Sequence, residues 1–438
     1  MTATMDRTTH GTGVAGRLSD ILSPLVGGEL PVRLTAWDGS TAGPDDAPKV
    51  TLYSPNVLRR LLWNPGELGA AQAYVLGELD VEGDLGDALT HVWKVAAERG
   101  LGSITPTPSL VLGAVKAARS FGAFGRPLAP PASQAQVKGR LHSLARDRAA
   151  IGHHYDLSND FYQLILDDNM AYSSGYWTSD APDYTLEDSQ TDKLDLVCRK
   201  VGLDRARGLR FLDVGCGWGS LSLHAAREYG ARVVGITISA EQKAFVDAKI
   251  RALGLEDWVE IRLQDYREIP DGPFDAVASI EMGEHVGEDN YPTYVRALHD
   301  NVIAGGRVLI QQMSRTGAHP GGGPFIESFI APDMYMRPVG RTVAMIEEGG
   351  LEVRDVHALR EHYVRTVEAW IETFESNWDR VVDLVGVEVA RVWRLYLVGG
   401  GMAFRDGRMG VDQILSVRPH GDGRSGMESV RPQWVSRP

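Results

Sequence analysis

Three alternate glycines directly after an apolar run constrain this chain more than any other feature. In Phe211-Leu212-Asp213-Val214-Gly215-Cys216-Gly217-Trp218-Gly219 the run closes at an acidic residue and the glycines follow at once. A buried strand supplies such a run, and glycines let the backbone turn sharply and approach a ligand that a Cβ would exclude. The segment therefore reads as a strand leading into a nucleotide-binding turn. Its spacing is G-x-G-x-G, not the G-x-G-x-x-G that seats a dinucleotide pyrophosphate. A glycine-rich turn without a ligand is the alternative this segment alone leaves open.

A chain of 438 residues suggests two or three domains, and 43% apolar content is ordinary for a globular enzyme. No uninterrupted apolar run reaches roughly 18 residues. The N-terminus lacks a charged start followed by an apolar stretch. Neither a spanning helix nor a secretory signal is indicated, and a cytoplasmic location is expected. The two cysteines, Cys198 and Cys216, exclude a disulfide framework and any all-cysteine metal cage. A net charge of -13 argues against general nucleic-acid binding. The sign reverses locally: Lys116, Arg119, Arg126, Lys138, Arg140, Arg146 and Arg148 are opposed by Asp147 alone. An apolar segment over 109–121 adjoins this patch, and a proline-rich stretch over 127–131 lies within it. An apolar helix beside clustered Lys and Arg suits peripheral docking on an anionic bilayer, here the inner face of the cell membrane. An interdomain helix with a solvated linker is the other reading.

Residues 1–15 are polar and Gly/Thr-rich and are expected to be disordered. Residues 16–108, with strand-like runs over 32–37 and 50–53, are expected to form a small α+β domain. The segment 109–148 then serves as the basic helix and linker. From there to 438 a larger α/β domain is expected, with strands over 209–214, 232–238, 259–263, 276–280 and 307–313 and helices between several of them. That alternation predicts a mostly parallel sheet covered by helices on both faces. A loop is expected over 314–324, and helices over 363–374 and 387–397.

Four motifs then occur in order: His154-Tyr155-Asp156-Leu157-Ser158-Asn159-Asp160-Phe161-Tyr162, the stretch from Met170 to Trp177, the glycine loop, and Glu284-His285-Val286-Gly287. With them the chain resembles the cyclopropane-fatty-acyl-phospholipid synthase family, between residues 50 and 418. The resemblance implies a Rossmann-like methyltransferase domain that binds S-adenosylmethionine, with no phosphate in the glycine loop. It also implies a phospholipid membrane as partner, methyl transfer to a cis double bond of an acyl chain, and a homodimer. Matched residue by residue, the cofactor site would comprise Tyr172, Ser173, Asp213, Gly215 and Gly217. Thr237 and Gln242 would lie near the ribose and methionine moieties, and Gln264, Asp265 and Tyr266 around the adenine. The second strand lacks a terminal acidic residue, which counts against NAD. Asp265 could equally cap a helix.

An alkene is a weak nucleophile, so a sulfonium must be held in line with it, and a proton must leave the new methyl carbon afterwards. The resemblance implies a bound bicarbonate as base, held by backbone N–H groups and by Glu, His and Tyr side chains. Glu284 and Tyr363 match two of these. Two positions depart from the family: its frequent Cys is Ser174, which leaves the backbone donor intact, and its His is Gln311, which can donate but cannot carry a proton. Gln at this position resembles actinobacterial members that form 10-methyl fatty acids. The expected product is therefore a 10-methylene acyl chain, reduced by a separate enzyme, with a cyclopropane as the alternative. Glu284 and His285 as an acid/base pair on a small soluble acceptor is another reading, and a lipid-binding protein without catalysis a third. His153-His154 are adjacent and cannot both face one ion from regular structure, so no metal site is expected. Trp370, Trp378, Trp393, Tyr396 and Phe404 read as core aromatics.

Overall fold

A computed structural model describes residues 13–101, 119–135, 158–317, 320–430, 432 and 434. Of residues 1–15, expected to be disordered, 1–12 lie outside them, whereas Val14 and Ala15 open a helix and are buried, which corrects that expectation. Most of the 109–121 segment, the basic residues Lys116, Lys138, Arg140, Arg146 and Arg148, and His153-His154 also lie outside the described residues. Two compact units emerge: Met1–Gln134 with Gly386–Gly399, and Ala135–Val385 with Gly400–Pro438. No described helix is long and apolar enough to cross a membrane.

In the first unit four short strands, β1 (Arg33–Thr35), β2 (Thr41–Ala42), β3 (Lys49–Leu52) and β4 (Leu79–Val81), form a mixed sheet of order β2-β1-β3-β4. The amphipathic helix Val14–Leu22 buries Val14, Ala15 and Leu18 in a core with Leu34, Leu52 and Val57. Asp84 caps the helix Leu85–Glu98 by accepting from the Asp87 N–H at 2.7 Å. Residues 386–399, expected from the sequence to lie in the larger domain, belong to this unit instead. The reason is visible at Arg391, which donates to the Tyr74 and Leu79 carbonyls and to Asp80 at 2.6, 3.0 and 3.0 Å.

The second unit is built on seven strands: β5 (Arg210–Val214), β6 (Arg232–Thr237), β7 (Val259–Leu263), β8 (Phe274–Ile280), β9 (Val302–Ser314), β10 (Glu352–Ala358) and β11 (Gly410–Val417). Their order is β10-β11-β9-β8-β5-β6-β7, and only β11 runs against its neighbours. Side chains alternate across the sheet with period two. Phe211 enters one core with Val197, Val233 and Val259, whereas Leu212 enters the other with Ile236, Val277 and Val308. Both faces are thus buried, as a parallel sheet requires. The helix Leu186–Val201 opens on a capping box between Thr185 and Asp188 and closes on Gly202 in the left-handed conformation. The five expected parallel strands are present. Chain order switches between β5 and β8, which opens a crevice beyond their C-terminal ends.

Candidate active site

A cavity occupies this crevice, and all ten residues expected around the cofactor line it: Tyr172, Ser173, Asp213, Gly215, Gly217, Thr237, Gln242, Gln264, Asp265 and Tyr266. Gly217 has φ 54°, and a Cβ there would enter open space, so the loop offers a cradle that a side chain would fill. Asp213 is buried and accepts from the Ser222 hydroxyl at 2.7 Å; burial pushes its carboxyl up to about 6. Thr237 donates to the Gln242 amide oxygen at 2.7 Å, which ties the second strand end to the helix after it. Asp265 accepts from the Arg267 N–H at 3.0 Å and pairs with its guanidinium at 2.6 Å, so it caps a turn while also facing the cavity. The Gln264 amide donates to the Glu268 carbonyl. Tyr172 and Trp218 supply aromatic walls. Acidic groups, aromatic rings and a glycine cradle fit S-adenosylmethionine, whose sulfonium is cationic.

Lys193 was not anticipated, because a lysine on a helix reads as a solvated charge. It is 1% exposed, and its ammonium donates to the Ser173 hydroxyl at 2.9 Å. Burial lowers its pKa to about 8, against the opposing pull of Glu281, Asp167 and Asp213.

The donors that the resemblance assigned to bicarbonate meet a side chain of the protein. Glu281 Oε1 accepts from the Ser174 N–H at 2.9 Å and from Gln311 Nε2 at 2.8 Å, and Oε2 accepts from the Tyr363 hydroxyl at 2.7 Å. Gln311 is oriented by Gln413, directly opposite on β11, which donates to its oxygen at 2.9 Å. With these donors engaged, the residues present do not fit a bicarbonate at this position. Glu281 lines the cavity, and burial raises its pKa, while Ser174, Tyr363, Gln311 and the charge of Lys193 draw it back. Its φ of 49° is a left-handed conformation that non-glycine residues adopt under constraint. Its N–H is fixed by the Gln311 carbonyl at 2.6 Å.

Glu284, the carboxylate expected at the base position, makes none of these bonds. It is fully buried, Oε1 accepts from the Met313 N–H, and Oε2 has no partner among the described residues. Burial, with the Glu281 charge adding to it, raises its pKa to about 8, so it is neutral at pH 7. His285 lines the cavity. The backbone at Ser174 depends on Gly175, where a Cβ would meet Ser189 Oγ at 2.4 Å. Trp370, expected in the core, is buried but also bridges the site. Its ring lies 5.4 Å from that of Tyr172 and 6.0 Å from that of Tyr363, and Tyr363 stacks on Phe404 at 4.4 Å.

A family model described as mycolic acid cyclopropane synthetase matches residues 142–414. The Pseudomonas putida protein named "Probable fatty acid methyltransferase" is 37% identical over 412 residues, covering 92% of this chain and 95% of that one. Tuberculostearic acid methyltransferase UfaA1 of Mycobacterium tuberculosis is 33% identical over 402 residues, covering 89% and 88%. The crystal structure of mycolic acid cyclopropane synthase CmaA1 complexed with SAH and CTAB is 30% identical, with a TM-score of 0.56 over 61% of this chain and 97% of that one. With this match and the cavity above, the chain belongs to the mycolic acid cyclopropane synthetase family and is an S-adenosylmethionine-dependent enzyme.

Proposed function

We propose that this enzyme methylates the cis double bond of an unsaturated phospholipid acyl chain and releases a 10-methylene product, with Glu281 as the base. The observation that carries this reading is the Glu281 carboxylate, held in the cavity by Ser174, Gln311 and Tyr363. Bound S-adenosylmethionine supplies an electrophilic methyl group on a cationic sulfur. The glycine loop and Tyr172 hold that end of the cavity, so that the alkene approaches in line. As the alkene takes the methyl, a new C–C bond forms, the methyl–sulfur bond breaks with its electron pair left on the departing sulfur, and positive charge appears on the neighbouring chain carbon. A hydride shift moves the charge to the methylated carbon. Glu281 then removes a proton from the methyl, and the C–H electrons become the exocyclic double bond.

Three donors fixed on the Glu281 oxygens hold its charged form in one orientation for proton removal after the shift. Gln311, lacking a titratable nitrogen, cannot relay the proton onward. The aromatic rings of Tyr172 and Trp218 that line the cavity keep water from trapping the cation. The similarity to the protein named tuberculostearic acid methyltransferase UfaA1 supports a methyl-branched end product over a cyclopropane. A mid-chain methyl branch then requires a separate hydride-donating reductase.

The test is proton NMR of the fatty acid esters after purified enzyme has acted on oleoyl phospholipid vesicles. Vinylidene protons are expected. Upfield ring protons would replace this reading with cyclopropane formation, and unchanged substrate would overturn both.

A further inference from the structure

We infer that the first compact unit carries a docking surface for an anionic bilayer, built where the helix Asn56–Trp63 meets the segment 119–126. The inference rests on the proposed phospholipid substrate. Trp63 and Phe124 are 49% and 47% exposed, an unusual state for large aromatic side chains. Both are held in place. The Trp63 indole N–H donates to the Gly125 carbonyl at 3.0 Å, and the Arg119 guanidinium lies 4.5 Å from the Phe124 ring centroid. Arg59 locks the two segments together: its Nε donates to the Arg126 carbonyl at 2.6 Å, and its guanidinium packs so closely on Gly125 that a Cβ there would meet it at 2.7 Å.

The charge is one-sided. Neither residues 56–63 nor residues 119–135 contain an Asp or Glu, in a chain whose net charge is -13. The buried Arg60 is neutralised by Glu78 at 2.6 Å, whereas Arg59, Arg119 and Arg126 have no carboxylate partner among the described residues. Three unpaired guanidinium groups around two exposed aromatic rings match the chemistry of an anionic lipid interface. The rings enter the headgroup boundary, and the guanidinium groups meet phosphate. A protein lacking acidic charge at its own surface would offer no comparable partner, so charge complementarity favours the membrane.

The test is co-sedimentation of the full chain with phosphatidylcholine vesicles, with and without phosphatidylglycerol, at low and high salt. Wild type is expected to pellet with the anionic vesicles and to be released by salt. Arg119→Gln/Arg126→Gln is expected to bind them roughly 30-fold more weakly, because two guanidinium charges are removed from the patch. Trp63→Ser is expected to weaken binding without changing its salt dependence. All variants should bind S-adenosylhomocysteine normally and turn over detergent-dispersed oleoyl lipid, which shows that they are folded. Wild-type-like pelleting of the arginine variant would overturn the inference. So would a change in its oligomeric state with vesicle binding intact, which would make the patch a contact between copies. A wild type that binds vesicles through this patch but yields no S-adenosylhomocysteine would refute the proposed function and leave the docking surface standing.

Discussion

The cofactor wall of the cavity takes Asp213, Gly215, Gly217, Thr237, Gln242, Gln264, Asp265 and Tyr266 from three consecutive strand ends. The cluster around Glu281 instead draws Ser174, Glu281, Gln311 and Tyr363 from four separate segments. The first is positioned by local turn chemistry, since each strand end fixes its own loop. The second exists only after the sheet has closed, because Gln311 needs Gln413 across β9 and β11, and Glu281 needs a helix, a loop and a strand at once. Local geometry therefore shapes the wall assigned to the methyl donor, and tertiary geometry holds the proposed base.

Substitutions should separate the two. Glu281→Gln removes the base while keeping a similar shape, and turnover should fall about 10³-fold. Its affinity for S-adenosylhomocysteine, read by calorimetry, should stay within twofold or so of wild type. Gly217→Val does the reverse. A branched side chain at φ 54° both strains the turn and fills the cradle, so binding should weaken roughly 10- to 100-fold, with the base cluster intact. Tyr363→Phe deletes one donor to Glu281 and should slow turnover about tenfold. That variant also has a pH signature. Glu281 must be ionised to act, so the rate rises with pH through a limb above the ordinary carboxylate range, because burial raises this group. Loss of the Tyr363 donor destabilises the anion and moves the limb to higher pH still.

Much of the cofactor wall was legible because its signals are contiguous. An apolar run, a glycine triplet and two further strand ends lie within a short stretch of chain; the glycine spacing marks the turn, and the family resemblance assigns the residues at the other two strand ends. Glu281 was hidden by its neighbour: it stands three residues before Glu284, and only the left-handed turn at Glu281 decides which carboxylate reaches Ser174 and Tyr363. No propensity anticipates a glutamate in that conformation. β10 and β11 were missed for another reason. Asp412, Gln413 and Ser416 interrupt the apolar pattern of β11, yet they are buried because Ser314, Gln311 and the Val308 carbonyl bond to them across the ladder. Lys193 reads as a surface charge for the same reason: its partner lies 20 residues away in sequence.

The smallest expected effect on activity comes from Glu284→Gln, which should leave turnover within a few-fold of wild type. Its effect on stability has a definite sign. Glu284 titrates near 4.5 when unfolded and at about 8 when folded, so across that window the folded state holds the extra proton. Stability contributed by the neutral carboxyl is present below that window and is lost as pH rises through it. Glu284→Gln has no proton to lose, so its melting temperature relative to wild type should climb as pH is raised towards 8 and level off above it.

The most direct test of a protein-borne base is turnover in buffer stripped of carbon dioxide, with and without added bicarbonate. If Glu281 takes the proton, the wild-type rate is the same in both, and Glu281→Gln is slowed to the same extent in both. A wild-type rate that collapses without bicarbonate and recovers in a saturable way when it is restored would contradict the account.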